Sequence, residues 1–194
     1  MLALTEQNII GEGNSRIVYQ HPSRSDLVIK IEKNNTTNNK PNNKIDFIYY
    51  KHLIKNHKDT SSIAKCHGWV KTNMGEGLLF EKIVNEDHTD VLTLQKALEN
   101  KLVSVEAAKK LLDGLLTYLE YNNIILGDIS LDNIVYQKID ANDFKLIIID
   151  GLGGRRLKFN FWLYLTFDCL AKRKVKKQIK KLEKYFLEFT NTFR

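Results

Sequence analysis

The sequence is poor in cysteine, the residue that crosslinks small secreted domains through disulfides and that binds zinc in many other small domains. Only two of its 194 residues are cysteines, Cys66 and Cys169. They lie far apart and show neither a Cys-x-x-Cys motif nor a Cys/His ligand spacing, so neither a disulfide framework nor a zinc site is predicted. This scarcity favours a protein of the reducing cytoplasm.

Long apolar runs are also missing. No stretch approaches the ~18 consecutive apolar residues that a membrane-spanning helix needs. The start of the chain, "MLALTEQNIIGEG", lacks the basic-then-apolar pattern of a signal peptide. A hydrophobic content of 43% is ordinary for a globular protein. We therefore expect a soluble, cytoplasmic, folded chain without a transmembrane segment.

Acidic residues are the third shortage. The 23 Asp and Glu are outnumbered by 30 Lys and Arg, which gives a formal net charge of +7. Seven of the basic residues fall within ten positions, "KRKVKKQIKK", residues 172–181. Such a run indicates either the solvated face of a helix or an attractor for an anionic partner such as nucleic acid, anionic lipid or an acidic protein.

The first half of the chain is dominated by strand patterns. The segments "NIIGEGNSRIVYQHP" and "DLVIKIE" predict an antiparallel meander of three strands, the last of which ends at Lys30. Residues 34–43, "NNTTNNKPNN", contain six Asn and predict a surface loop. The segment "KIDFIYYKHLIKNH" then predicts a helix with one buried stripe. Two more strands are predicted in "SIAKCHGWVKTN" and "GLLFEKIV".

The second half is mainly helical. A helix is predicted from Val103 to Leu119, and two short strands, "IVYQKI" and "FKLIIID", surround the "DAND" turn. From Phe159 onward the pattern predicts helix to the end. Strands followed by helices predict an α+β fold, and we expect two lobes with a cleft between them and a boundary near residues 84–90.

One polar turn lies between two apolar runs. In "IILGDISLDNIVY", Asp128 and Asn133 are placed on a loop whose ends are predicted to be buried. Such a loop can hold an Asp that accepts a hydroxyl proton and an Asn that binds a metal ion. Further on, the run "KLIII" leads to Asp150 and to the turn "DGLGG", whose glycines free the backbone to aim that carboxylate at the same point. These hard oxygen ligands suit Mg²⁺, which also binds substrate phosphates.

The order of these parts carries a family likeness. The chain resembles the protein-kinase superfamily in the order of its motifs. These motifs are Gly-x-Gly with a following Val, a Lys in "VIKI", the Asp and Asn of the polar turn, and the Asp of "DGLGG". The chain further resembles the bacterial YrbL family of kinase-like proteins linked to the PhoP regulatory network. That narrower resemblance rests on "EQNIIGEG", "YQHP", "VIKI", "IDFIYYKHL", "IAKCHGWVKTNMGEG" and "FDCLAKRKVKKQIKKLEKYF". It implies a protein-kinase-like two-lobed fold, with an N-lobe of residues 1–86 and a reduced, helical C-lobe of residues 87–194.

The resemblance implies nucleotide-binding roles in the N-lobe. Gly11, Gly13 and Val18 would form the Gly-rich loop that covers the phosphates of ATP. Lys30 would hold the α- and β-phosphates and act in catalysis. Asp46, one methylene shorter than the usual Glu of the following helix, would pair with Lys30.

The resemblance also implies catalytic and metal-binding roles in the C-lobe. Asp128 would be the catalytic base, and Asn133 and Asp150 would hold Mg²⁺. The sequence departs from the family pattern where Arg16 replaces the third glycine of the loop. Leu-Gly stands before Asp128 where His-Arg is usual, and Ser130 replaces a phosphate-steadying Lys. The Gly-Asp pair is similar to that of small-molecule kinases, so the acceptor can be a protein or a small molecule.

The final part of the chain is short for such a fold. After Asp150 only 44 residues remain, fewer than an activation segment and a full set of C-lobe helices need, so the lobe is expected to be cut down. Arg155 and Arg156 are interpreted as surface residues or as contacts of an acidic partner or phosphate. Three function classes stay open: a phosphotransferase that uses ATP and Mg²⁺, a nucleotide-binding pseudokinase with a regulatory role, and an interaction module that uses the basic run.

Overall fold

The first half of the protein folds around one antiparallel sheet. The computed structural model describes residues 1–33 and 41–193. The strands of the sheet are β1 (Ile9–Glu12), β2 (Arg16–Gln20), β3 (Leu27–Glu32), β4 (Cys66–Thr72) and β5 (Gly75–Glu81). Their order across the sheet is β1-β2-β3-β5-β4. The predicted meander and the two further strands are confirmed.

Strand β3 lies in the middle of this sheet. It pairs with β2 on one side and β5 on the other, and five of its six residues are buried. Lys30 stands opposite Val18 of β2 and opposite Leu78 of β5. Its side chain therefore leaves the centre of the sheet, and the strand continues two residues beyond the end predicted at Lys30, to Glu32.

The first long helix, α1 (Asn42–Lys55), packs against β3, β4 and β5. Asn42 and Asn43 belong to this helix, so the predicted loop of residues 34–43 is wrong at its end. Both side chains have partners outside the loop, because Asn42 Nδ2 donates to Ser15 Oγ and Asn43 Nδ2 donates to the Lys30 carbonyl, each at 2.8 Å. The rest of that prediction, residues 34–40, lies outside the described residues.

The second half combines helices with a small three-stranded sheet. The helices are α2 (Leu94–Glu99), α3 (Val105–Asn122), α4 (Phe159–Thr166) and α5 (Asp168–Asn191), and the strands are β6 (Leu92–Thr93), β7 (Ile134–Lys138) and β8 (Phe144–Ile148). The short α2 and β6 have no counterpart in the sequence-based prediction. The α+β class, with a sheet-rich first part and a helical second part, is confirmed.

The predicted terminal helix is divided in two at Phe167. Phe167 has an extended backbone, with φ −117° and ψ 102°. Asp168 then starts α5, where the positive end of the helix dipole stabilises a carboxylate. In the interior of one continuous helix the same carboxylate would gain no such stabilisation, so Asp168 favours the start of a new helix at this position.

The largest core cluster joins α1 to the helices of the second half. Ile45, Tyr49 and Leu53 of α1 pack in one cluster with Leu112 of α3 and Phe186 of α5. The core therefore continues across the boundary predicted near residues 84–90. The division into residues 1–86 and 87–194 stays a prediction.

The basic run forms one side of α5. The opposite side of this helix is buried against α3 and α4, and six of the seven basic side chains in residues 172–181 are exposed. The run thus lies on a solvated helix face, and its target stays a prediction. Within the described ranges, none of the helices combines the length and the apolar character needed to cross a membrane.

Candidate functional site

A cleft of about 340 Å³ opens between the two halves of the chain. Its walls are the turn from β1 to β2, the start of α1, the polar turn after α3 and the segment that follows β8. Four of the residues predicted from the sequence line it: Asp46, Asp128, Asn133 and Asp150. Lys30, Gly11, Gly13 and Val18 are not among its lining residues.

The polar turn is held from two sides by helices. The Ile125 N–H donates to the Tyr49 hydroxyl of α1 at 2.7 Å. The buried Gln178 of α5 bonds to both backbone groups of Leu126: its Oε1 accepts from the N–H at 3.2 Å and its Nε2 donates to the carbonyl. These bonds fix the backbone two residues before Asp128, so α1 and α5 both position the cleft.

Two glycines allow the polar turn to lie against the segment that follows Asp150. Gly127 N–H donates to the Gly151 carbonyl at 2.6 Å, and a Cβ on Gly127 would come within 2.6 Å of the Gly154 backbone. Gly153 has a positive φ of 73°, and a Cβ added to it would come within 2.8 Å of the Tyr49 ring of α1. The glycine before Asp128 is therefore required by close backbone packing.

Asp128 and Asn133 lie at the mouth of the cleft. Asp128 Oδ1 accepts a hydrogen bond from Arg155 Nη2 at 2.8 Å, and Arg155 Nε donates to the Gly127 carbonyl at 2.9 Å. The Asn133 amide is within 3.5 Å of Asp128 Oδ2. Asp128 is thus exposed but oriented, with Arg155 as its ion-pair partner.

Asp150 is held through one of its two carboxylate oxygens. Oδ1 accepts from the Gly151 N–H at 2.6 Å, pairs with Arg16 Nη2 and lies 3.8 Å from Lys30 Nζ. Among the hydrogen bonds of residues 1–33 and 41–193, none involves Oδ2. One oxygen of Asp150 is therefore anchored, while the other can accept a ligand.

Lys30 is buried beneath the cleft. Its ammonium donates to the Ile149 carbonyl at 2.5 Å and lies 4.3 Å from the centre of the Phe80 ring. Burial lowers the pKa of Lys30 to about 7, and the Arg16 guanidinium lowers it too, whereas the Asp46 and Cys66 side chains oppose the shift. At neutral pH, Lys30 is therefore only partly charged.

We expect this pKa to make folding stability depend on pH. Between about pH 7 and the ordinary lysine pKa, Lys30 is protonated in the unfolded chain but mostly neutral in the folded one, so the free energy of unfolding should rise with pH. The limiting slope for one group is about 1.4 kcal/mol per pH unit. Urea unfolding at about pH 7, 8 and 9 should show this rise in the unaltered chain and lose it in Lys30→Met. The same slope in both proteins would contradict the assignment.

The predicted pair between Lys30 and Asp46 is not the one that forms. Asp46 Oδ2 pairs with Arg16 Nη1 at 2.5 Å, and both side chains are buried. Within the described parts of the chain, no ion pair joins Asp46 to Lys30. The physical reason is reach, since the short Asp side chain ends near the long guanidinium that β2 directs into the site.

The Gly-x-Gly segment forms a β-hairpin turn. Gly13 N–H donates to the Arg16 carbonyl at 2.9 Å, and Gly11 lies opposite Val18 in the β1–β2 pairing. The Val18 side chain packs on an apolar cluster with Ile83 and Ile149. The turn thus covers the cleft through Asn14 and Ser15, while Val18 belongs to this apolar cluster and is not among the lining residues.

The donor set is compatible with Mg²⁺ bound together with phosphate. Asp150 and Asn133 supply hard oxygen atoms, the ligand type that Mg²⁺ prefers when substrate phosphates and water complete its shell. No group of three or more His, Cys, Asp or Glu suited to a metal ion occurs in the part of the chain that the structure describes. The residues present therefore fit a metal ion whose shell phosphate and water would complete.

Three positioning residues were missed by sequence reasoning. Arg16 was noted only as a departure from the glycine loop, and Tyr49 lies within the helix that was predicted to have one buried stripe. Gln178 offered a signal, because it interrupts an apolar stripe of α5 at the spacing of Val175 and Leu182, where a polar residue needs a buried partner.

Comparison with known proteins identifies relatives over most of the chain. The family described as PhoP regulatory network protein YrbL matches residues 2–186. The uncharacterized protein YrbL of Escherichia coli (strain K12) is 29% identical over 159 residues, which cover 81% of this chain and 76% of that protein. The protein of the same description from Shigella flexneri matches with the same identity and coverage.

A solved structure shows a weaker likeness. The crystal structure of the Mycobacterium tuberculosis PknI kinase domain, in a double-mutant form, aligns with a TM-score of 0.46 at 11% identity. The match covers 74% of this chain, and the chain spans 56% of that kinase domain.

Proposed function

The chain belongs to the family described as PhoP regulatory network protein YrbL, and we propose that it is a phosphotransferase that uses ATP and Mg²⁺. It would move the γ-phosphoryl group to a hydroxyl of a protein or small molecule. The observation that carries the proposal is that Asp128, Asn133 and Asp150 line one cleft beneath the β1–β2 turn, together with Arg16 and Asp46 from the first half of the chain.

Different residues of the cleft would carry out different parts of such a transfer. The acceptor oxygen forms a bond to the γ-phosphorus as the bond from that phosphorus to the bridging oxygen breaks, and ADP leaves. Asp128 takes the proton of the acceptor hydroxyl, and its exposed position leaves room for a substrate. Asp150, through Oδ2, and Asn133 would hold the metal, which neutralises charge on the phosphates.

The direct experiment is to incubate the purified chain with γ-labelled ATP, with Mg²⁺ or with EDTA. We expect Mg²⁺-dependent transfer of label to the chain itself, to an acceptor in a panel of proteins and sugars, or to water. Asp150→Asn should abolish it. Asp113→Asn, a change of the same kind on the exposed surface of α3, should not. Absence of both Mg²⁺-dependent nucleotide binding and turnover would overturn the proposal.

A second candidate function is regulation by nucleotide binding without transfer. It is favoured by the arginine contacts, because Arg16 pairs with Asp150 and Arg155 pairs with Asp128, so both carboxylates are engaged. A thermal-shift titration separates the two candidates. Stabilisation by ATP with no label transfer would support the regulatory role.

A further inference from the structure

We propose that Arg16, not Lys30, is the cation that binds the nucleotide phosphates in this protein, with Asp46 as its anchor. The proposal rests on the proposed nucleotide site and assigns its phosphate contact to a residue of β2. It applies equally to a phosphotransferase and to a regulatory nucleotide-binding protein.

The position of Arg16 is the first argument. It stands at the start of β2, directly after the turn that covers the cleft, and it lines the cleft, which Lys30 does not. Its guanidinium reaches both walls, because it bonds to Asn43 at 3.1 Å and Asp46 at 2.5 Å on one side and to Asp150 on the other. Lys30, in contrast, directs its ammonium to the Ile149 carbonyl, outside the cleft lining.

The hydrogen-bonding capacity of Arg16 is the second argument. A guanidinium has five N–H donors, and the bonds to Asn43, Asp46 and Asp150 use three of them. The Nε hydrogen and the second Nη2 hydrogen make no hydrogen bond within residues 1–33 and 41–193. Arginine is suited to bidentate recognition of phosphate, so donors remain for a phosphate while the Asp46 contact stays in place.

The charge of the site is the third argument. Asp46 and Asp150 offset the charge of Arg16. A nucleotide triphosphate would bring a large negative charge to this wall of the cleft, and Asp150 would turn toward its metal. Arg16 is then the cleft-lining cation on that wall, and the buried Asp46 keeps it from turning away.

The test compares binding of Mg·ATP and of adenosine by calorimetry. Arg16→Met should weaken Mg·ATP binding by roughly 10- to 100-fold, the range of a charge-assisted hydrogen bond, and should leave adenosine binding unchanged. Lys30→Met should weaken Mg·ATP binding less than Arg16→Met. Arg24→Met, which removes an exposed arginine paired with an Asp between β2 and β3, is the matched control and should change neither affinity.

A second variant keeps the inference testable if Arg16→Met does not fold. Arg16→Lys keeps a cation for Asp46 but loses the planar fork, so it should weaken Mg·ATP binding partly and again spare adenosine. A larger loss in Lys30→Met than in both Arg16 variants would overturn the inference and leave the proposed function standing. An equal loss for adenosine and Mg·ATP in both Arg16 variants would do the same. Failure of the unaltered chain to bind Mg·ATP would instead refute the nucleotide site itself.

Discussion

Replacing Asp128 by Asn should lower the rate of phosphoryl transfer by about 10²- to 10⁴-fold, the usual contribution of a positioned general base. Asparagine keeps the shape of the side chain but cannot take the proton of the acceptor hydroxyl. Asp128 is exposed, pairs with Arg155 and is assigned to the acceptor hydroxyl instead of the metal or the phosphates, so the affinity for Mg·ATP should stay nearly unchanged. Single-turnover transfer and a separate binding measurement would check both parts.

Asp132→Asn is a matched control for this prediction. Asp132 stands on the same turn, but its carboxylate accepts a hydrogen bond from Thr93 at 3.1 Å and is not part of the cleft lining. Its loss should leave the transfer rate close to that of the unaltered chain. Equal losses in the two variants would show that the turn as a whole matters, and full activity in Asp128→Asn would remove Asp128 from the proposed mechanism.

The elements with strong periodic patterns could be predicted because local sequence determines them. The meander and α3 follow from alternation and helical spacing, and the structure contains both. The short β6 could not be found in this way, since it depends on its pairing with the distant β7. The short α2 has a local start signal, because the Thr93 side chain accepts a hydrogen bond from the Lys96 N–H, but its six residues are too few to show a helical spacing. The break at Phe167 likewise lies inside a continuous helical pattern.

The convergence of the candidate site could be anticipated, whereas its ion pairs could not. Asp128, Asn133 and Asp150 lie in local motifs that place them at the ends of buried segments. The partner of Asp46 depends instead on how a strand and a helix meet in space. The family resemblance implied Lys30, but the guanidinium of Arg16 pairs with Asp46 instead, and a side chain of this length reaches Asp150 as well.

Replacing Arg16 by Met should also lower the free energy of unfolding, by about 3–5 kcal/mol, the cost of removing one partner from a buried ion pair. The reason is that Asp46 is only 3% exposed and would lose its guanidinium. Asp150 would lose the same contact, but it is more exposed and water can replace it. Denaturant unfolding of the variant without nucleotide would measure this effect.

The double variant Arg16→Met/Asp46→Leu separates a charge effect from a packing effect. If the cost of Arg16→Met comes from an uncompensated buried carboxylate, removing that carboxylate as well should restore most of the lost stability, since apolar replacement of a whole buried pair is often close to neutral. The exposed Arg24–Asp26 pair is the control, and Arg24→Met should change stability little. A double variant no more stable than Arg16→Met would mean that Arg16 stabilises the fold by packing, and Asp46 would then not be its electrostatic anchor.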